Sequence, residues 1–90
     1  MRPEREPKIA DLAPWSDALT DYDLARLTVY LRLLDAERDG ADWREVARVV
    51  LDQDPDTGEA RARRCWESHM RRARWMTESG YRLLLEPPNR

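Results

Sequence analysis

The residues with the clearest chemical potential are six arginines, with no lysine among them, between positions 61 and 74. A guanidinium donates paired hydrogen bonds to phosphates and to guanine edges. On a helical wheel these arginines lie opposite or at the edge of an apolar arc, and two interpretations stay open: a face that contacts nucleic acid, or a solvated face with local acidic partners. Under the first interpretation, the residues expected to contact DNA are Arg61, Arg64, Arg71 and Arg72.

A run of acidic residues precedes these arginines. The segment between positions 52 and 60 has no basic residue and carries four acids: Asp52, Asp54, Asp56 and Glu59. The aspartates alternate like the start of a calcium loop, but Thr57 replaces the required glycine and Arg63 the required glutamate. Carboxylates weaken attraction to phosphate where a recognition helix first meets the duplex. The four acids are therefore expected to face a protein partner.

Cys65 and His69 are four residues apart, a spacing that can place two metal ligands side by side on a helix. The chain has no other cysteine or histidine, whereas structural zinc takes four nitrogen or sulfur ligands. Both residues fall among apolar neighbours, which favours a core thiol and a core imidazole over a nucleophile and its base. We expect no metal, no cofactor and no enzymatic activity.

The first of three predicted helices spans about residues 20 to 37. Thr20 and Asp23 form a capping pattern at its start. A leucine seam at helical spacing predicts its buried face: Leu24, Leu27, Leu31 and Leu34. A second stripe lies away from that seam and consists of Tyr22, Val29 and Leu33. Either this helix is buried on two sides, or the second stripe is a surface for a partner.

Two more helices follow, at about 43 to 51 and about 57 to 79. Asp42 with Glu45 and Asp56 with Glu59 are their expected caps, and Gly80 is the expected end of the third helix. The apolar arc of that third helix should lie in the core and consists of Ala62, Cys65, Trp66, His69, Met70, Ala73 and Met76. Trp75 falls among the arginines, so it is either covered by another part of the chain or an interface anchor. If it is covered, the C-terminal tail is favoured over the N-terminal arm.

Composition limits the class of protein. Ninety residues suffice for one small core, with 38% charged residues and a net charge of −2. One cysteine fits a reducing cytoplasm, and no apolar run reaches the roughly 20 residues that cross a membrane. The sequence predicts an all-α bundle of three helices or slightly more: an extended or disordered arm at 1–14, a domain at 15–85 and a tail at 86–90.

Several strings carry a family resemblance: PWSDALTDYDL at 14–24, YLRLLDA at 30–36, GADWREVAR at 40–48, and arginine, tryptophan and glycine positions between 61 and 82. Together they resemble a proteobacterial family of unknown function related to the DNA-binding domain of RovC-type transcription factors. The resemblance implies a helix-turn-helix variant that regulates transcription. Short stand-alone members, which this chain resembles, include antiactivators of the QseM type that restrain conjugative transfer of mobile elements by binding an activator protein.

The charges decide between two functions under this resemblance. An acidic start of the third helix and a net negative charge favour an antiactivator that binds the basic surface of an activator protein. The alternative is a transcriptional regulator that binds DNA through the arginines of the third helix.

Overall fold

The computed structural model describes residues 9–85, and this part of the chain is all-helical, with no strand. Its helices are α1 (Asp21–Ala25), α2 (Leu27–Arg38), α3 (Trp43–Val49), α4 (Glu59–Trp75) and α5 (Tyr81–Leu85). A π-helical turn, Met76–Gly80, joins α4 to α5. The core lies where α2 and α3 pack against α4. Residues 1–8 of the predicted arm and the predicted tail 86–90 lie outside the described range.

The predicted first helix is in fact two helices that meet at Arg26. Its start is as predicted: the Thr20 hydroxyl accepts from the Asp23 amide at 3.1 Å, and the Asp23 carboxylate accepts from the Thr20 amide at 3.0 Å. Arg26 then leaves helical geometry, with φ −122° and ψ 27°. A single helical wheel drawn through this break places the exposed Leu24 and Leu31 on one face with two leucines that do pack against the core.

The predicted leucine seam is only partly buried: Leu27 and Leu34 pack against the core, whereas its other two members face solvent. Leu24 and Leu31 are 47% and 63% exposed, whereas Leu33 and Tyr30 are buried. Leu33 is completely buried, Val29 packs against the core, and the Tyr22 hydroxyl lies within hydrogen-bonding distance of a buried histidine. The stripe of Tyr22, Val29 and Leu33 is therefore part of the fold. Of the two alternatives, burial of this helix on two sides agrees with the structure, and the partner surface proposed for these three residues does not.

Helices α3 and α4 are joined by residues 50–58, a longer connection than the three or four residues of a standard helix-turn-helix. Asp42 caps α3 as predicted, because its side chain accepts from the Arg44 amide. Gly58, rather than Asp56, occupies the N-cap of α4, and the Asp54 carboxylate accepts from the Asp56 amide instead. The predicted apolar arc of α4 is confirmed: all its members are buried except Trp66, which is half-buried.

Gly80 does not end the third helix. The chain passes through the π-helical turn into α5, and Gly80 is buried. A Cβ atom at this position would lie 2.7 Å from the side chains of Trp75 and Met76. Glycine is therefore required here for close packing. A glycine that packs closely and a glycine that ends a helix look alike in a sequence, so the sequence does not distinguish the two roles. None of the helices within residues 9–85 is long and apolar enough to cross a membrane.

Candidate nucleic-acid interface

Arg72, one of the four arginines predicted to contact DNA, is completely buried. Its Nε and Nη2 atoms donate to the two carboxylate oxygens of Asp23, at 2.9 and 2.6 Å. Its Nη1 and Nη2 atoms also donate to the backbone carbonyls of Ser16 and Ala18, at 2.6 and 2.8 Å. Every face of this guanidinium is used within the fold, so the prediction that Arg72 contacts phosphate is wrong.

Asp23 is the anionic centre of the same cluster. Burial alone would raise its pKa, but hydrogen bonds from Arg72, the Thr20 amide and the Tyr30 hydroxyl lower the pKa of Asp23 to about 2. The Tyr30 hydroxyl donates to Asp23 at 2.8 Å, and burial beside this carboxylate raises the pKa of Tyr30 above its ordinary value. A buried, fully hydrogen-bonded pair of this kind fixes the position of α1 against α4.

Trp75 packs against Trp15 of the segment before α1, whereas the sequence favoured coverage by the C-terminal tail, whose residues 86–90 lie outside the described range. The two rings meet edge to face with centroids 6.1 Å apart. The Arg72 guanidinium carbon lies 3.8 Å from the centroid of the Trp75 ring and 4.9 Å from that of Trp15. The N-terminal segment therefore closes over the cationic end of α4, an arrangement that stabilises a desolvated arginine.

Cys65 and His69 lie in the core as predicted, joined to the N-terminal segment through Tyr22. His69 Nδ1 donates to the Cys65 carbonyl at 2.7 Å, so its Nε2 accepts from the Tyr22 hydroxyl at 2.6 Å. The Ala10 amide donates to that hydroxyl, and the Cys65 thiol donates to the Ala10 carbonyl. Burial lowers the pKa of His69 and raises the pKa of Cys65 to about 11. Both groups are thus uncharged at neutral pH.

The outer face of α4 carries the remaining arginines. Arg61 donates to Asp11 at 3.0 and 3.1 Å, Arg63 donates to Glu67 at 2.9 Å, and Arg74 pairs with Glu37. Arg64 and Arg71 are exposed, and neither has an ion-pair partner within residues 9–85. They are seven residues apart, two helical turns or about 10.5 Å along the axis.

Two of the four acids before and at the start of α4 are neutralised by α3, which the sequence reasoning missed. Arg48 approaches Asp56 at 3.5 Å, and Arg44 pairs with Glu59. Asp52 and Asp54 are exposed, and neither has an ion pair in the described part of the chain. The spacing of Arg44 and Arg48 puts both on the same side of α3, but it does not indicate which acids they meet.

An aromatic cluster lies beside these ion pairs. The rings of Trp43 and Trp66 are 6.0 Å apart, and the Arg63 guanidinium lies about 5 Å from each. Trp43 starts the apolar face that continues through Val46 and Ala47, and this spacing predicts that it is buried between helices. It is only half-buried, because it packs against Trp66 at the edge of α4 while the core beneath α3 is filled by Val46, Ala47 and Leu51.

Within residues 9–85 no group of three or more histidine, cysteine, aspartate or glutamate side chains is placed to hold a metal ion. The site is instead a surface helix with a basic outer face, locked to the core through its inner arginine. This arrangement is typical of a small helical nucleic-acid-binding domain that presents one helix to a partner.

The chain belongs to the RovC DNA-binding domain family, described as a T6SS transcription factor DNA-binding domain, whose model matches residues 4–86. The predicted family is thereby confirmed, and with it a place among transcription-factor domains. A comparison with curated proteins found no match. The resemblance to QseM stays a prediction.

Proposed function

We propose that this protein is a cytoplasmic, non-enzymatic transcriptional regulator that binds DNA by placing the outer face of α4 in the major groove. The observation that carries the proposal is the pair of exposed arginines, Arg64 and Arg71, which lack ion-pair partners in the described residues. An unpaired guanidinium on a rigid helix can contact a phosphate without first breaking an internal ion pair.

The rest of the face supports this proposal. Arg61, Arg63 and Arg74 flank Arg64 and Arg71, and each of the three is exposed although paired. The local charge is therefore positive even though the chain carries a net charge of −2. The buried Asp23–Arg72 pair holds α4 against α1, so the outer face is pre-organised for a ligand. Family membership favours DNA as that ligand.

The test is a titration of a fluorescent 20-base-pair duplex at several salt concentrations. Arg64→Gln and Arg71→Gln should each weaken binding several-fold and reduce the slope of log affinity against log salt by about 1. Arg32→Gln, which removes the same charge from the exposed side of α2, is the matched control and should leave the slope unchanged. Equal affinities for all four proteins would exclude α4 as the DNA-binding element.

A second candidate function is antiactivation, in which this protein binds an activator protein and so restrains transcription, with control of conjugative transfer as the process implied by the family resemblance. The observation that favours it is the exposed pair Asp52 and Asp54, which suits a basic protein surface better than a duplex. Asp56 and Glu59 belong to the same surface, although α3 neutralises both.

This second function predicts a different result. The tagged protein should capture a transcriptional activator from its host, and Asp52→Asn with Asp54→Asn should abolish the capture. Asp17→Asn, at an exposed aspartate elsewhere, is the control. The same double substitution should raise DNA affinity at low salt if α4 meets the duplex at its N-terminal end. Capture that survives the double substitution would contradict the acidic surface as the binding site.

A further inference from the structure

The segment before α1 is fixed along α4 on the same side as Arg64. The Ala13 amide donates to Ser68 at 3.0 Å, and Asp11 accepts two hydrogen bonds from Arg61. One residue earlier, the backbone of Ala10 is hydrogen-bonded through both its amide and its carbonyl. Positions on both sides of Leu12 are thus anchored to the fold.

Leu12 itself is 56% exposed despite these anchors. Together with Asp11, Arg61 and Arg64 it lines an open cleft of about 420 Å³ beside the N-terminal half of α4. Asp11 is neutralised by Arg61, so among residues 9–85 the guanidinium of Arg64 is the charge at this cleft that has no ion-pair partner. The structure therefore holds an apolar side chain in a defined position next to this guanidinium.

This combination matches one part of the DNA surface. In the major groove an apolar group recognises the C5 methyl of thymine, and phosphates lie at the groove edge within reach of arginine. In recognition helices, the residues at the N-terminal end approach the base edges. Leu12 is not on a helix, but its anchors at Arg61 and Ser68 hold it beside the N-terminal half of α4.

We propose that Leu12 is a specificity-determining residue that contacts a thymine methyl while Arg64 holds the adjacent phosphate. The proposal rests on the DNA binding proposed above. It adds the segment 10–13 to α4 as part of the surface that contacts the bases. Leu12 supplies sequence preference, whereas the arginines supply affinity that does not depend on sequence.

The experiment begins with selection of preferred duplexes from a randomised library by the full-length protein. Each thymine of the selected duplex is then replaced by uracil, which removes only the C5 methyl. At one position the replacement should weaken binding about four-fold, as expected when one buried methyl is lost. Leu12→Ala should bind the thymine duplex about as weakly as the wild type binds the uracil duplex, and should no longer distinguish the two.

Leu31→Ala is the matched control, because Leu31 is 63% exposed on α2 and does not line the cleft. It should retain the full response to uracil. A Leu12→Ala protein that responds to uracil like the wild type would overturn the proposal, as would a wild type insensitive to every replacement. Failure to select any duplex would refute DNA binding itself, and this would be evident before uracil is introduced.

Discussion

Replacing Arg72 tests the buried cluster directly. Arg72→Met keeps much of the side-chain length but leaves the Asp23 carboxylate buried without its cation, and two backbone carbonyls without their donors. Loss of one partner of a buried ion pair costs about 3–5 kcal/mol. A domain of this size loses roughly 4–8 °C in Tm per kcal/mol, so the substitution should lower Tm by at least about 12 °C.

Thermal and urea unfolding followed by circular dichroism measure this loss. Arg71→Met, at the neighbouring exposed arginine, is the control and should shift stability by less than about 0.5 kcal/mol. The double variant Asp23→Leu, Arg72→Met removes both charges and should be more stable than Arg72→Met alone, because no unpaired carboxylate remains. Equal stability of wild type and Arg72→Met would refute the assignment of Arg72 to the core.

Three further results are expected from unfolding measurements. Gly80→Ala should destabilise the fold by about 1–3 kcal/mol, because its Cβ would meet Trp75 and Met76 at 2.7 Å. Gly58→Ser should not destabilise the fold, because its Cβ would make only an ordinary contact with Arg61 at 4.0 Å and its hydroxyl would occupy the N-cap of α4. Stability should fall as the pH drops below about 6.5. Folding lowers the pKa of His69, so the unfolded chain binds the proton first and is favoured at low pH. His69→Gln should flatten this dependence of stability on pH. Leu33→Ala should cost about 2–5 kcal/mol and Leu31→Ala almost nothing, and similar losses for both would contradict the assigned faces of α2.

The helical class, the cap at Thr20 and the inner face of α4 could all be predicted, because each depends on local spacing. The break at Arg26 could not, and it displaced the predicted core face from Leu31 to Leu33. Arginine after this short helix has no strong helix-breaking tendency, so the break arises from tertiary contacts around Asp23.

The site was predicted only in part for a related reason. Charge patterns on a helical wheel place Arg72 with Arg61 and Arg64, and they cannot identify which arginine has a buried partner 49 residues away. Likewise, the neutralisation of Glu59 by Arg44 depends on how α3 crosses α4. Long-range pairing of charged residues leaves no periodic signal in a single sequence.

The contacts of Arg72 also bear on the speed of folding. Helical bundles usually fold fast, because most of their contacts join residues close in sequence. Here one guanidinium on α4 must meet Ser16, Ala18 and Asp23, which are 49 to 56 residues away. Closing so long a loop costs conformational entropy before the buried pair forms. This domain should therefore fold more slowly than a bundle of the same length with local contacts only, and the segment 9–20 should acquire structure only after α4 has formed.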